Sequence, residues 1–233
     1  MKITWLGHSA FLIEAGGKRI LTDPWITNPL APEQFKDPKA LGALDLILLS
    51  HGHSDHVGDL LDIARVSDAP IVCLFELGQW LESKGITQIS DMGIGGTQEV
   101  AGVRVTMTWA VHSGSIMDDG RIVYLGGPAG FIVRIHGVPT IYYAGDTALF
   151  GDMKIIRDLY APEIAFLPIG DHYTMGPDTA AIAAEWLGVR QVVPMHWGTF
   201  DALHGTPTQL ESHLKGEKIK VLHLTPGEAR EID

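Results

Sequence analysis

The amino-acid sequence predicts an α/β fold of two mixed β-sheets covered by helices on their outer faces. Early strand-like runs follow one another as hairpins, and later runs alternate with helical stretches, a pattern that packs helices against sheets. Glycine and proline recur throughout, as expected of many short elements joined by tight turns. The 233 residues, 45% of them hydrophobic, suffice for a proper core and are read as a single domain over 1–233.

Strands are expected at Lys2 to Leu6, Ala10 to Glu14, Arg19 to Thr22, Leu46 to Ser50, Ile71 to Phe75 and Val103 to Ala110. Further runs lie at Val123 to Leu125, Gly130 to Ile135, Thr140 to Ala144, Ile164 to Pro168, Val192 to Pro194 and Lys220 to Leu224. Phe131 to Tyr143 reads as a hairpin turning at His136-Gly137-Val138-Pro139, which makes His136 a solvated turn residue. Helices are expected at Leu60 to Val66, Glu76 to Lys84, Lys154 to Tyr160, Asp178 to Leu187 and Thr206 to Lys215. In the fourth, Ile182 with Trp186 and Ala183 with Leu187 would form one apolar face. Thr206-Pro207 supplies an N-cap and a first-turn proline for the last helix. Ile26 to Gly42 and Ser113 to Gly120 lack periodicity and read as loops.

The net charge of −11 argues against a general nucleic-acid surface or an anionic membrane surface. The lone Cys73, within Ile71-Val72-Cys73-Leu74, reads as a small core hydrophobe and cannot form an internal disulfide. The N-terminus lacks the apolar run of a signal peptide, and no run approaches the roughly 20 apolar residues of a membrane span. The expected location is the cytoplasm.

One segment carries chemistry. His51-Gly52-His53-Ser54-Asp55-His56 packs four potential metal ligands directly after the apolar run Leu46 to Leu49. Polar groups beside a core are costly unless something pairs with them, and imidazoles and carboxylates are the usual ligands of zinc and similar divalent ions. His112, Asp146 and His196 each follow an apolar strand in the same way, so strand ends on one edge can bring them to the same point.

This order, with Gly145-Asp146-Thr147 and the late His196, resembles the metallo-β-lactamase superfamily. Trp5-Leu6-Gly7-His8-Ser9, Leu21-Thr22-Asp23-Pro24, Pro168-Ile169-Gly170-Asp171, Thr174-Met175-Gly176-Pro177 and Pro194-Met195-His196 look like its metal-dependent hydrolase branch, similar to ascorbate-6-phosphate lactonase. The resemblance implies a four-layer αββα sandwich. It implies that His51, His53 and His112 hold one metal ion, that Asp55, His56 and His196 hold a second, and that Asp146 bridges them. The glutamate that marks the di-iron oxygen-reducing branch would fall at position 53. Histidine stands there, which favours a hydrolase. Two divalent ions roughly 3.5–4 Å apart can share a hydroxide as nucleophile at neutral pH. Zinc is the first expectation, with manganese, iron or nickel as alternatives.

Around this set, His8 is a candidate extra ligand, hydrogen-bond donor or substrate contact, and Asp23 a candidate acceptor that orients a ligand imidazole. Asp55 and His172 are the candidate catalytic residues. His172 or Tyr173 would donate to the departing or developing oxyanion, and His204 would reach the pocket. Trp109, Trp186 and Trp197 read as core or pocket-wall aromatics. The expected reaction is hydrolysis of a small-molecule ester, lactone or phosphoester. A phosphodiesterase or nuclease, and a non-catalytic metal-dependent metabolite-binding protein, are the alternatives. No long nucleic acid or membrane partner is expected, and the related lactonases suggest a homo-oligomer.

Overall fold

The computed structural model describes residues 1–232. In chain order, the first half runs β1 (Lys2–Trp5), β2 (Phe11–Ala15), β3 (Lys18–Thr22), β4 (Leu46–Leu48), α1 (Ser54–Val57), α2 (Leu60–Ala64), β5 (Ile71–Leu74), α3 (Phe75–Ser83) and β6 (Ile89–Met92). It continues through β7 (Thr97–Val100), β8 (Val103–Trp109), β9 (Ser115–Asp118), β10 (Arg121–Tyr124), β11 (Ala129–Arg134) and β12 (Ile141–Tyr143). The last part comprises α4 (Met153–Tyr160), β13 (Ile164–Pro168), α5 (Pro177–Leu187), β14 (Gln191–Met195), α6 (Pro207–His213), β15 (Lys220–Val221) and β16 (Ala229–Glu231).

Two seven-stranded sheets form, in the orders β16-β1-β2-β3-β4-β5-β6 and β15-β14-β13-β12-β11-β8-β7. Both are mixed. In the first, the hairpins β1–β2 and β2–β3 are antiparallel and β3 to β6 parallel. In the second, β8, β11 and β12 pair antiparallel and β12 to β15 parallel.

The four apolar residues Leu46 to Leu49 explain the layering. Successive side chains of a strand point to opposite faces. Leu46 and Leu48 join the large core with Trp5, Phe11, Phe131 and Phe166. Ile47 and Leu49 join a second core with Leu60, Ile63, Leu77 and Leu81 of α2 and α3. A parallel strand covered on both faces reads as a continuous apolar run for this reason. On the far side, α5 packs Ala180, Ala183, Ala184 and Leu187 inward. The expected four-layer αββα sandwich is the observed arrangement.

Several local expectations change. Ile182 is exposed, so the buried face of α5 is its alanine stripe, whose small side chains permit close approach to the sheet. Trp109 is 46% exposed and belongs to neither core nor cavity, whereas Trp186 and Trp197 pack against the large core as expected, Trp186 under Lys154 and Trp197 stacked on Trp5 at 5.0 Å. The segment 26–42 carries two short 3₁₀ turns, Glu33–Phe35 and Pro38–Leu41, and buries Leu41 completely. Ser113 to Gly120 is no plain loop, because β9 and β10 form a hairpin. Its turn, Asp119-Gly120, has φ of 47° and 74°, as a two-residue hairpin turn of the primed type requires. The edge strands β6, β7 and β16, with little apolar alternation, and the four-residue α1 escape a periodicity argument. The last predicted strand shortens to Lys220–Val221. Cys73 is fully buried, and burial pushes its thiol up to about 12.

Candidate metal centre

The site lies where strands of both sheets end. His8 follows β1, Asp23 follows β3, and His51 and His53 follow β4, while the short α1 presents Asp55 and His56. From the other sheet come His112 after β8, Asp146 after β12 and His196 after β14. Three of these residues hold the left-handed backbone region that non-glycine residues rarely adopt: His8 at φ 52°, Asp23 at 33° and His196 at 55°. Such strain persists where surrounding structure over-determines it, and it clusters at functional sites. Their backbones are locked together, since His196 N donates to His8 O at 3.2 Å and Trp5 Nε1 to the same oxygen at 2.9 Å.

All seven sequence-predicted ligands come together, in three overlapping groups. Ring nitrogens of His51, His53 and His112 lie within 4.8 Å of one another, as do ligand atoms of His51, His56 and Asp146. The third group joins Asp55, His56 and His196 with His8. Asp146 Oδ2 sits 3.0 Å from His196 Nε2, 3.3 Å from His56 Nε2 and 3.6 Å from His112 Nε2. His53 Nδ1 is 3.0 Å from His51 Nε2 and 3.3 Å from His112 Nε2. Imidazole nitrogens converging on a common point in this way suit a shared cation. His56 Nε2 and Asp146 Oδ1 are buried without a hydrogen-bond partner, which is costly for polar atoms. The donor set of nitrogen and carboxylate oxygen therefore fits divalent metal ions.

The outer hydrogen bonds set ring orientations. Asp23 is completely buried, and its Oδ2 accepts from His56 Nδ1 at 2.8 Å and Ser50 Oγ at 2.7 Å, with Tyr143 Oη 2.6 Å away. Ser50 Oγ, having donated to Asp23, accepts from His51 Nδ1 at 2.9 Å. One carboxylate thus aims the Nε2 atoms of two imidazoles inward. His8 Nε2 lies 3.1 Å from Asp55 Oδ2 and its Nδ1 2.9 Å from Thr199 Oγ1.

Electrostatics divides the cluster. Burial lowers His8 to about 4, helped by His196, and burial with His56 holds His51 well below the ordinary histidine range. Burial also works against charge on His56 and His196. Asp146 and Asp23 nevertheless raise His56, and Asp146 and Asp55 raise His196 to about 9. Burial disfavours the charged carboxylates too, yet the surrounding histidines hold Asp55 and Asp146 well below the usual carboxylate range.

A cavity of about 790 Å³ opens onto the cluster, lined by Trp25, His53, Ser54, Asp55, His112, Ser113, Asp146, Tyr173, His196 and Phe200. His172 is not among these residues. Its φ of 48° follows Asp171 at 65°, and this left-handed turn leaves His172 exposed on the loop while Tyr173 lines the cavity. His204 is also exposed and away from the lining. Trp25 and Phe200 were not legible as site residues. Both lie in aperiodic segments, and only the proximity of Trp25 to Asp23 hints at its place.

A family model described as the beta-lactamase superfamily domain matches residues 18–197. The chain belongs to the metallo-β-lactamase superfamily. It is similar to a UPF0173 metal-dependent hydrolase of Koribacter versatilis, 46% identical over 230 residues covering 98% of this chain and 97% of that protein. A Methanosarcina barkeri protein of the same name is 45% identical, covering 100% and 99%. Among solved structures, Igni18, a metallo hydrolase from Ignicoccus hospitalis, matches with a TM-score of 0.88 at 37% identity, covering 100% and 99%. An isothiocyanate hydrolase from Delia radicum gut bacteria shares the fold, with a TM-score of 0.76 at 22% identity. This chain is accordingly a metal-dependent hydrolase of the metallo-β-lactamase superfamily. Among its described residues, no helix is long and apolar enough to cross a membrane.

Proposed function

We propose that the protein is a binuclear hydrolase of a small ester, lactone or phosphoester. In this reading His51, His53 and His112 hold one divalent ion, and Asp55, His56 and His196 hold the other. Asp146 bridges them. The observation that carries it is the place of Asp146, whose Oδ2 approaches His112 of one group and His56 and His196 of the other within 3.6 Å. Bound there, the ions would supply Lewis acidity and lower the pKa of water to about 7.

The chain's own residues do the remaining work. Asp23 keeps the Nδ1 protons of His56, directly, and His51, through Ser50, pointed away from the cluster. His8 steadies Asp55, and the cavity admits a small molecule beside both groups. Tyr173, which lines the cavity where His172 does not, would donate its hydroxyl to the departing or developing oxyanion. Zinc is the preferred metal, with manganese, iron or nickel as alternatives, because this donor set suits all of them.

Replacing Asp146 with Ala tests the reading. We expect elemental analysis to show one ion lost per chain, and turnover on a panel of lactones, esters and phosphodiesters to fall by at least about a hundredfold, with the circular dichroism spectrum unchanged. Wild-type turnover with full metal content would remove the bridging role.

A further inference from the structure

We infer that the cavity selects a substrate whose body, away from the reacting bond, is flat, apolar and uncharged, and that Trp25 and Phe200 are the residues that select it. The inference rests on the hydrolase site described under the proposed function and adds the substrate class. The two rings stand 5.7 Å apart and nearly parallel, at 26°. Both meet the His8 ring edge-on, at 5.3 and 5.7 Å, so the aromatic wall stands at the end of the cavity formed by Asp55 and His196.

The wall is held in place. Trp25 N donates to Asp23 O at 2.8 Å, and Asn28 Nδ2 donates to Trp25 O at 2.6 Å. A Cβ on Gly58 would stand 2.5 Å from Trp25 Cα, so the backbone there is packed tightly against the end of α1. Phe200 is nonetheless 39% exposed and Tyr173 is 56% exposed. Large apolar rings left uncovered beside a polar cluster gain free energy when a ligand covers them.

Charge excludes the other substrate classes. Among the described residues no lysine or arginine lines the cavity, and its histidines and aspartates all belong to the candidate metal ligands. An anionic group remote from the reacting bond would lose its hydration there without meeting a cation, and the net charge of −11 opposes its approach. A cationic group would meet the charge of the bound ions.

Three aryl esters sharing one scissile bond would decide the matter. They differ in a remote methyl, sulfonate or trimethylammonium group, sulfonate being a poor ligand for divalent ions. With metal-loaded protein we expect the methyl ester to have the highest kcat/KM, by about tenfold. Trp25→Ala should raise its KM about tenfold, the scale of an aromatic contact, with kcat and metal content little changed. Phe200→Leu should act in the same direction. Preference for either charged ester, or an unchanged KM in both variants, would overturn the inference. Turnover confined to phosphodiesters would instead overturn the ester and lactone reading, and the same three substituents on a phosphodiester would then decide selectivity separately.

Discussion

Asp23 shows how much of this site rests on one side chain that touches no solvent. Its carboxylate is fully buried, and its oxygens accept from Ser50 N, Ser50 Oγ and His56 Nδ1. Replacing it with Asn keeps the shape but turns one acceptor into a donor that faces other donors. Loss of such an orienting partner typically costs 10–100-fold in metal affinity. We expect Asp23→Asn to weaken binding by about that factor in a chelator competition, and an unchanged affinity would show that the ring orientations are set elsewhere. The residue types were legible beforehand: four ligand residues in His51 to His56 have no cheap structural role. The left-handed backbones of His8, Asp23 and His196 were not, because nothing in those residue types demands a positive φ.

At the scale of elements, strand ends deliver the ligands, and glycines let the delivery happen. Gly145 lies between β12 and Asp146 at φ 61°, and a Cβ there would stand 2.6 Å from Ala129 O and 2.9 Å from Ser50 Cβ. Gly145→Ala would add left-handed strain of about 1–2 kcal/mol and force the two sheets apart beside the site. We expect it to lower the thermal midpoint and the metal content together. Wild-type values for both would show that the strand end can relax. The buried strands were readable as apolar runs, whereas the β9–β10 hairpin, which turns at Asp119-Gly120, read as a loop because its strands are largely exposed. Edge strands such as β7, with its sequence Thr97-Gln98-Glu99-Val100, were not, because one exposed face and one unpaired edge leave little apolar pattern.

Across the whole molecule, the candidate centre is a seam between two sheets. The candidate ligands attached to the first sheet end at His56 in α1, and the remainder, His112, Asp146 and His196, come from the second. Ions binding such a seam only in the folded state stabilise the molecule by mass action, by about 2.7 kcal/mol at a hundredfold excess over Kd. For a chain of this size that corresponds to about 5–10 °C in thermal midpoint. Chelation should therefore lower the midpoint by that amount, and re-addition of metal should restore it in differential scanning calorimetry. No shift on chelation would show that the site does not couple to folding.

The sequence by itself determined the class of fold, the superfamily and the identities of the seven candidate ligands, because periodicity and ligand chemistry are properties of short segments and of their order. Tertiary structure decided which imidazoles Asp23 orients, His56 directly and His51 through Ser50, and that Tyr173, not His172, lines the cavity. It also placed Trp25 and Phe200, 175 positions apart in the chain (200 − 25), side by side. These are distances between segments remote in sequence, set by how two twisted sheets pack, and no local pattern of residues encodes them.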